Sequence, residues 1–169
     1  MSLPKFWYAV YTKSRAEKKV QSELDYQGIE CYLPLQRKLR QWSDRKKWVE
    51  MPLISGYVFV YISKKEYDKV LRTDNVVTYV RFEGKAAIIP NEQIETIKRM
   101  LRETNIPVEV NPGLFVEGDH IEVIGGPLIG LKGELITVKG KKRVAVQLEQ
   151  LNLAISVELP LNEIRKIES

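Results

Sequence analysis

From Gln36 to Trp48 the chain reads Gln-Arg-Lys-Leu-Arg-Gln-Trp-Ser-Asp-Arg-Lys-Lys-Trp, with six basic residues, one acid and two tryptophans. Lysine and arginine neutralise phosphates, and an indole offers a flat face on which an unpaired base stacks. The stretch is a candidate nucleic-acid contact, with Arg37, Lys38, Arg40, Arg45, Lys46 and Lys47 tracking the backbone. Trp42 and Trp48 either stack on bases or pack the excursion onto its domain. A second basic group, Lys13, Arg15, Lys18 and Lys19, lies on and just before a predicted helix. Taken alone it reads as a solvated helix face; beside the hairpin it broadens one positive surface. The charge is localised: residues 1–50 hold 11 Lys/Arg against 6 Asp/Glu, residues 51–115 hold 9 against 8, and residues 116–169 hold 7 against 8. The first of these segments thus carries the whole net charge of +5, which points to a local polyanion contact.

Other chemistry is sparse. Cys31 and His120 are the single cysteine and the single histidine. They allow no internal disulfide and make a structural zinc site unworkable. Cys31, beside Tyr32 and Leu33, reads as a buried inert thiol, and His120 as a partly exposed strand residue. There is no phosphate loop ending in Lys-Ser/Thr, no nucleophile elbow and no clustered metal ligands, so neither an enzyme nor a cofactor is expected. The lone thiol and the lack of an apolar leader fit a cytoplasmic protein.

Tyr57-Val-Phe-Val-Tyr-Ile62 reads as a buried strand with Tyr57, Phe59 and Tyr61 on one face and Val58, Val60 and Ile62 on the other. Two apolar faces require two coverings. The aromatic face is either a second layer of the same domain or a docking surface for a partner, since aromatics dominate interface hot spots.

These residues need elements to hold them. Trp7 to Thr12 reads as a strand, and Ser14-Arg-Ala-Glu17 as a capping box for a helix with Ala16, Val20 and Leu24 inward and Gly28 at its end. Ile29 to Leu33 is the next strand. The basic excursion follows as a β-hairpin with Ser43-Asp44 at its tip. Ser63-Lys-Lys-Glu66 opens a short helix with Tyr67, Val70 and Leu71 inward. Val76 to Phe82 and Ala86 to Ile89 are strands around Glu83-Gly84, and Pro90-Asn91 starts a helix with Ile94, Ile97 and Leu101 on one face. That order fits an antiparallel sheet with helices on its faces. Residues 103–115, with Pro107, Asn111, Pro112 and Gly113, read as a linker. Beyond it the period falls to two, giving four or five short strands of a small SH3-like barrel. Two small domains on a linker imply a monomer.

Trp7-Tyr-Ala-Val-Tyr11, Met51-Pro-Leu-Ile-Ser-Gly-Tyr-Val-Phe59, Gly118-Asp119 and Gly126-Pro-Leu-Ile-Gly130 together resemble the NusG family of transcription elongation factors. The resemblance runs from about Phe6 to Ile167. It implies an α+β fold: an NGN domain (5–102), similar to the RNA-recognition fold, then the linker (103–115) and an all-β KOW barrel (116–169). It further implies that Tyr11, Ile54, Tyr57 and Phe59 bind the clamp helices of RNA polymerase. Lys13, Lys19, Arg37, Lys38, Arg40, Trp42, Arg45, Lys46 and Lys47 would face upstream or non-template DNA, or nascent RNA. The barrel would bind Rho or a small-subunit ribosomal protein, with Phe115, Gly126, Pro127, Ile129 and Gly130 at its partner-facing rim. Ser55 stands where family members often carry Pro. Arg40-Gln-Trp-Ser-Asp-Arg-Lys-Lys47, Ala87-Ile-Ile-Pro-Asn-Glu-Gln93 and Gly126-Pro-Leu-Ile-Gly-Leu-Lys-Gly-Glu134 look like the specialised UpxY paralogues, which act as antiterminators on capsular or surface polysaccharide operons. Two alternatives stay open: the housekeeping elongation factor, and a ribosome-associated KOW protein that binds RNA.

Overall fold

The alternating strands Phe6–Thr12 (β1) and Tyr57–Ile62 (β5) pair antiparallel along their lengths, from Phe6 opposite Ile62 to Tyr11 opposite Tyr57. They form the middle of a sheet in a computed structural model that describes residues 3–103, 106–113 and 118–168. Two compact units, residues 1–94 and 95–169, divide within the third helix.

In the first unit β1 and β5 are joined by α1 (Glu17–Tyr26), β2 (Glu30–Tyr32), β3 (Leu35–Gln41) and β4 (Lys46–Pro52). After β5 come α2 (Tyr67–Leu71), β6 (Val76–Tyr79), β7 (Arg81–Phe82), β8 (Lys85–Ala86) and β9 (Ile88–Ile89), then α3 (Asn91–Arg102), of which residues 91–94 belong to this unit. The sheet order is β2-β5-β1-β6, with β9 also on β1. Val10, Val58, Val60 and Ile62 on one sheet face pack with Val20 and Leu24 of α1 and Val70 of α2, all at most 1% exposed. Helix α1 ends as its sequence requires: Gly28 takes φ +75°, and the Ile29 N–H returns to the Leu24 carbonyl at 2.9 Å.

The first capping box does not form. Arg15 turns the backbone left-handed at φ 59°, which takes Ser14 out of the capping position, and α1 starts at Glu17. The Glu17 carboxylate, 6% exposed, instead accepts the Gly56 N–H at 2.9 Å in the turn that leads into β5. Removing it leaves a part-buried donor without its partner. Glu17→Ala should cost about 1–3 kcal/mol in urea unfolding, and Glu17→Gln, which keeps an acceptor oxygen, clearly less. The second box does form, with the Ser63 N–H on Glu66 Oε1 at 3.2 Å, and it opens a 3-10 turn that runs into α2. Two inward positions move. Leu71 is 38% exposed, and in α3 Met100, not Leu101, joins Ile94 and Ile97 in full burial. At these helix ends the 3.6-residue stripe passes between neighbouring positions.

In the second unit six strands lie in the order β10-β14-β13-β12-β11-β15. They are β10 (Val108–Pro112), β11 (Asp119–Val123), β12 (Lys132–Val138), β13 (Lys141–Leu148), β14 (Leu153–Val157) and β15 (Ile164–Lys166). The expected linker therefore contains a strand. Val108 and Val110 alternate with Glu109 and Asn111, and β10 pairs with β14 from Val108 opposite Val157 to Pro112 opposite Leu153. Flanking prolines disguised it. Glycine is required at Gly118, where a Cβ would lie 2.0 Å from the Leu135 carbonyl oxygen, and at Gly130, with φ +88°.

Candidate nucleic-acid and protein interfaces

The face of the first sheet opposite α1 and α2 carries three cross-strand pairs: Trp7 with Tyr61, Ala9 with Phe59, and Tyr11 with Tyr57. Exposure changes along this row. Trp7 is 5% exposed, lies against Tyr61 at 5.2 Å between ring centroids, and donates its indole N–H to Asn91 Oδ1 at the start of α3. Ala9 and Phe59 are fully buried, and Phe59 stacks on Tyr32 at 6.3 Å. Tyr11, at the far end, is 37% exposed and its ring meets that of Tyr57 at 5.0 Å. Of the four residues expected to dock a partner, Tyr11 and Tyr57 reach the surface. Ile54, 4% exposed, and Phe59 lie inside and support them. The aromatic face is thus a second layer at one end and an open platform at the other. Burial, and then a hydrogen bond with Tyr11, push the Tyr57 hydroxyl up to about 12, so the Tyr57 hydroxyl stays protonated across the physiological range.

The platform is fixed from behind. The Gly56 carbonyl accepts the Thr12 N–H at 2.9 Å while the Gly56 N–H is held by Glu17. Both backbone groups of the residue before Tyr57 are thereby committed. Sequence reading missed Glu17 in this role, because a capping pattern explained it locally.

Strands β3 and β4 form a two-stranded sheet of their own, paired from Leu35 opposite Pro52 to Gln41 opposite Lys46. The Trp42 N–H donates to the Arg45 carbonyl at 2.7 Å, closing the tip over Ser43 and Asp44. Arg37, Lys38, Arg40, Arg45, Lys46 and Lys47 are all exposed. Strand alternation sorts the hairpin into two faces. Lys38, Arg40 and Lys47 share one, while Arg37, Leu39 and Lys46 share the other with Trp48. Trp42 is 41% and Trp48 57% exposed, so neither packs the excursion onto its domain. Each instead carries a guanidinium over its ring, Arg37 at 5.2 Å from Trp48 and Arg45 at 5.5 Å from Trp42. Such stacking holds the arginine forks in place while leaving their N–H groups free for phosphate.

Lys13 and Lys19 are exposed. Lys18, read from sequence as part of the basic helix face, also donates from Nζ to the Glu50 carbonyl at 3.0 Å and ties α1 to the hairpin base. Nothing in its spacing announces that contact. Lys18, Lys19, Ser22 and Glu23 of α1 also line a shallow cleft of about 380 Å³ with Asp74 and Asn75. Cys31 donates to Asp25 Oδ1 at 3.4 Å. Cys31 is only partly buried, short of the full burial expected; burial, and then the Asp25 carboxylate, push its thiol up to about 12, which keeps it protonated at neutral pH. Iodoacetamide at pH 7.5 should accordingly label the folded protein far more slowly than the urea-unfolded chain, as read by mass spectrometry.

In the second unit the β11–β12 turn exposes Gly126, Pro127, Ile129 and Gly130, with Ile129 at 56% and neighbouring Ile124 at 45%. Leu128 between them is fully buried and anchors the turn. Phe115, the fifth expected rim residue, lies outside the described residues. Among the described residues no group of carboxylate, thiol and imidazole side chains is arranged to hold a metal ion.

An α+β domain with an aromatic platform and a basic hairpin, followed by a small barrel, is the architecture of the NGN–KOW class, and comparison with known proteins places the chain there. Residues 5–98 match the family model described as transcription termination factor nusG. Residues 117–167 match the second KOW domain of transcription elongation factor SPT5. The chain belongs to the NusG family, whose members are transcription termination and antitermination factors rather than enzymes. It is 26% identical to the NusG protein of Bacillus subtilis, covering 98% of this chain and 100% of that one, and 24% identical to that of Staphylococcus carnosus over 96% of each. Among solved structures it is similar to Thermotoga maritima NusG, with a TM-score of 0.56 and 25% identity over 97% of this chain and 98% of that one. None of the described helices is long and apolar enough to cross a membrane.

Proposed function

We propose that this chain is an operon-specific elongation and antitermination factor of the NusG family. Its first domain, residues 5–102, binds the clamp helices of RNA polymerase through Tyr11 and Tyr57, with Ile54 and Phe59 as their support. Lys13, Lys19 and the hairpin contact upstream or non-template DNA. The barrel, residues 116–169, recruits a second protein, a small-subunit ribosomal protein or Rho. It works in the cytoplasm as a monomer. The observation that carries this reading is the pairing, in one domain, of an exposed aromatic platform with an exposed basic hairpin that begins Arg-Lys and ends Lys-Lys-Trp. Bridging the clamp across the DNA channel disfavours the open, paused state, and about 1.4 kcal/mol of differential binding shifts that equilibrium tenfold. The hairpin and Gly126–Glu134 sequences, similar to UpxY paralogues, favour polysaccharide operons as targets.

The end-to-end match to NusG relatives supports a second reading, a housekeeping elongation factor. Purification of the tagged protein from its own cells should bring RNA polymerase with it. Ribosomal subunits without polymerase would instead select the ribosome-associated alternative. Chromatin immunoprecipitation then separates the first two: occupancy confined to one or a few operons supports the specialised role, and occupancy of most transcribed genes supports the housekeeping one.

A further inference from the structure

Strand β10 is an unusual member of the barrel sheet. It is five residues long, sits at the sheet edge against β14, and contains Glu109, Asn111 and Pro112, residue types that strands disfavour. Toward the barrel interior it offers Val108, which is 4% exposed, and Val110. On its other face it is held by two polar contacts. Arg143 of β13 is 6% exposed, donates from Nε to Ser156 Oγ at 2.9 Å, and donates again to the Ser156 carbonyl at 3.0 Å. Its guanidinium also reaches two carboxylates, Glu109 of β10 at 3.7 Å and Glu158 just past β14 at 3.9 Å. Ser156 passes its own hydroxyl hydrogen to Asn111 Oδ1 of β10 at 3.3 Å. Glu109 and Glu158 are each about half exposed, whereas Arg143 is not. A buried arginine is thus neutralised in part by a carboxylate that a short edge strand supplies.

We propose that β10 occupies, within the chain, a strand slot that an extended segment of a second protein takes in its place, and that this segment places a carboxylate over Arg143. The chemistry of the slot dictates that occupant. The β14 edge supplies main-chain donors and acceptors to an antiparallel strand, apolar positions beside Val157 and Ile155 take alternate aliphatic side chains, and Arg143 requires an acid between them. A segment without the acid leaves the guanidinium buried with one fewer counter-charge, a penalty that discriminates against it. The proposal rests on the reading of the barrel as the module that recruits a second protein.

The test uses the full chain and a fluorescein-labelled peptide of the chain's own sequence from Ile106 to Gly113, followed by anisotropy. In the intact protein the slot is filled, so apparent affinity falls by the fraction of time it stands open. Glu109→Ala/Asn111→Ala removes both polar contacts of β10 and should raise peptide affinity about tenfold or more by enlarging that fraction. The same peptide carrying lysine in place of its glutamate should lose that binding. An Asn111→Cys/Ala154→Cys chain should bind neither peptide while oxidised across the paired positions, and should regain binding of the unmodified peptide on reduction of the disulfide. Hydrogen exchange gives the second measurement: in the Glu109→Ala/Asn111→Ala chain the β10 amides should exchange faster while those of β12 and β13 hold. If β10 amides stay as protected as β13, or if they open and the peptide still does not enter, the proposal is overturned. That failure leaves recruitment through another barrel surface intact. If recruitment itself is wrong, the proteins that co-purify with the chain are the same with and without residues 103–169.

Discussion

Replacing Arg45, Lys46 and Lys47 together by glutamate should reduce affinity for a forked DNA by at least tenfold near 0.1 M salt, since each phosphate contact contributes separately to counterion release. The three side chains lie at the hairpin tip, all exposed. None makes an ion pair that folding needs among the described contacts. The stability of the domain should therefore change little, while the slope of log K against log salt flattens by roughly 2 to 3, about 0.7–0.9 for each lost contact. The slope matters more than the affinity. A variant that loses affinity at unchanged slope has been damaged elsewhere, and a variant with unchanged affinity and slope removes the hairpin from the interface. Read-through of a terminator in vitro should fall in parallel; intact read-through in the triple variant would refute the proposed role.

The second large effect concerns the platform. Tyr11→Ala/Tyr57→Ala should weaken capture of RNA polymerase by about thirtyfold or more, taking about 2 kcal/mol as the threshold for a hot-spot aromatic. Phe59→Ala is not an equivalent experiment, although its side chain belongs to the same strand face. Phe59 is fully buried, and its truncation should cost about 3–5 kcal/mol of stability. A pull-down with a Phe59 variant would therefore report on folding as much as on docking. Comparing Tyr11→Phe/Tyr57→Phe with the alanine pair separates ring contact from the hydroxyl hydrogen bond. Full capture by the alanine pair, with an unchanged unfolding transition, would move polymerase binding off this surface.

Much of this was readable in the sequence, and the failures share one cause. Strand β5, the hairpin and its tip, the Gly28 helix end and the Ser63–Glu66 box all follow from local periodicity and turn chemistry. Period two separates Tyr57 and Phe59 from Val58 and Val60, but it says nothing about which part of a face is covered. Phe59 was placed with Tyr57 for that reason. Glu17 satisfied a capping pattern three residues after Ser14, yet its partner proved to be Gly56, far along the chain. Strand β10 hid between Pro107 and Pro112, because its pairing with β14 is a long-range fact and proline, excluded from a central strand, is tolerated at a sheet edge. Arg143 reads as one more basic residue in Lys139–Arg143 until the fold brings Ser156 and Glu109 to it.

The hairpin shares no strand with the main sheet, and of its residues Leu35 alone packs against the buried cluster of the first unit. Its tip therefore behaves as a cassette. Sequence from Gln36 to Met51 can drift, or be exchanged wholesale for that of a relative, without opening a cavity in the core. Selection on which nucleic acid is touched then runs free of selection on whether the protein folds, which is the condition under which one scaffold gives rise to many specialised descendants.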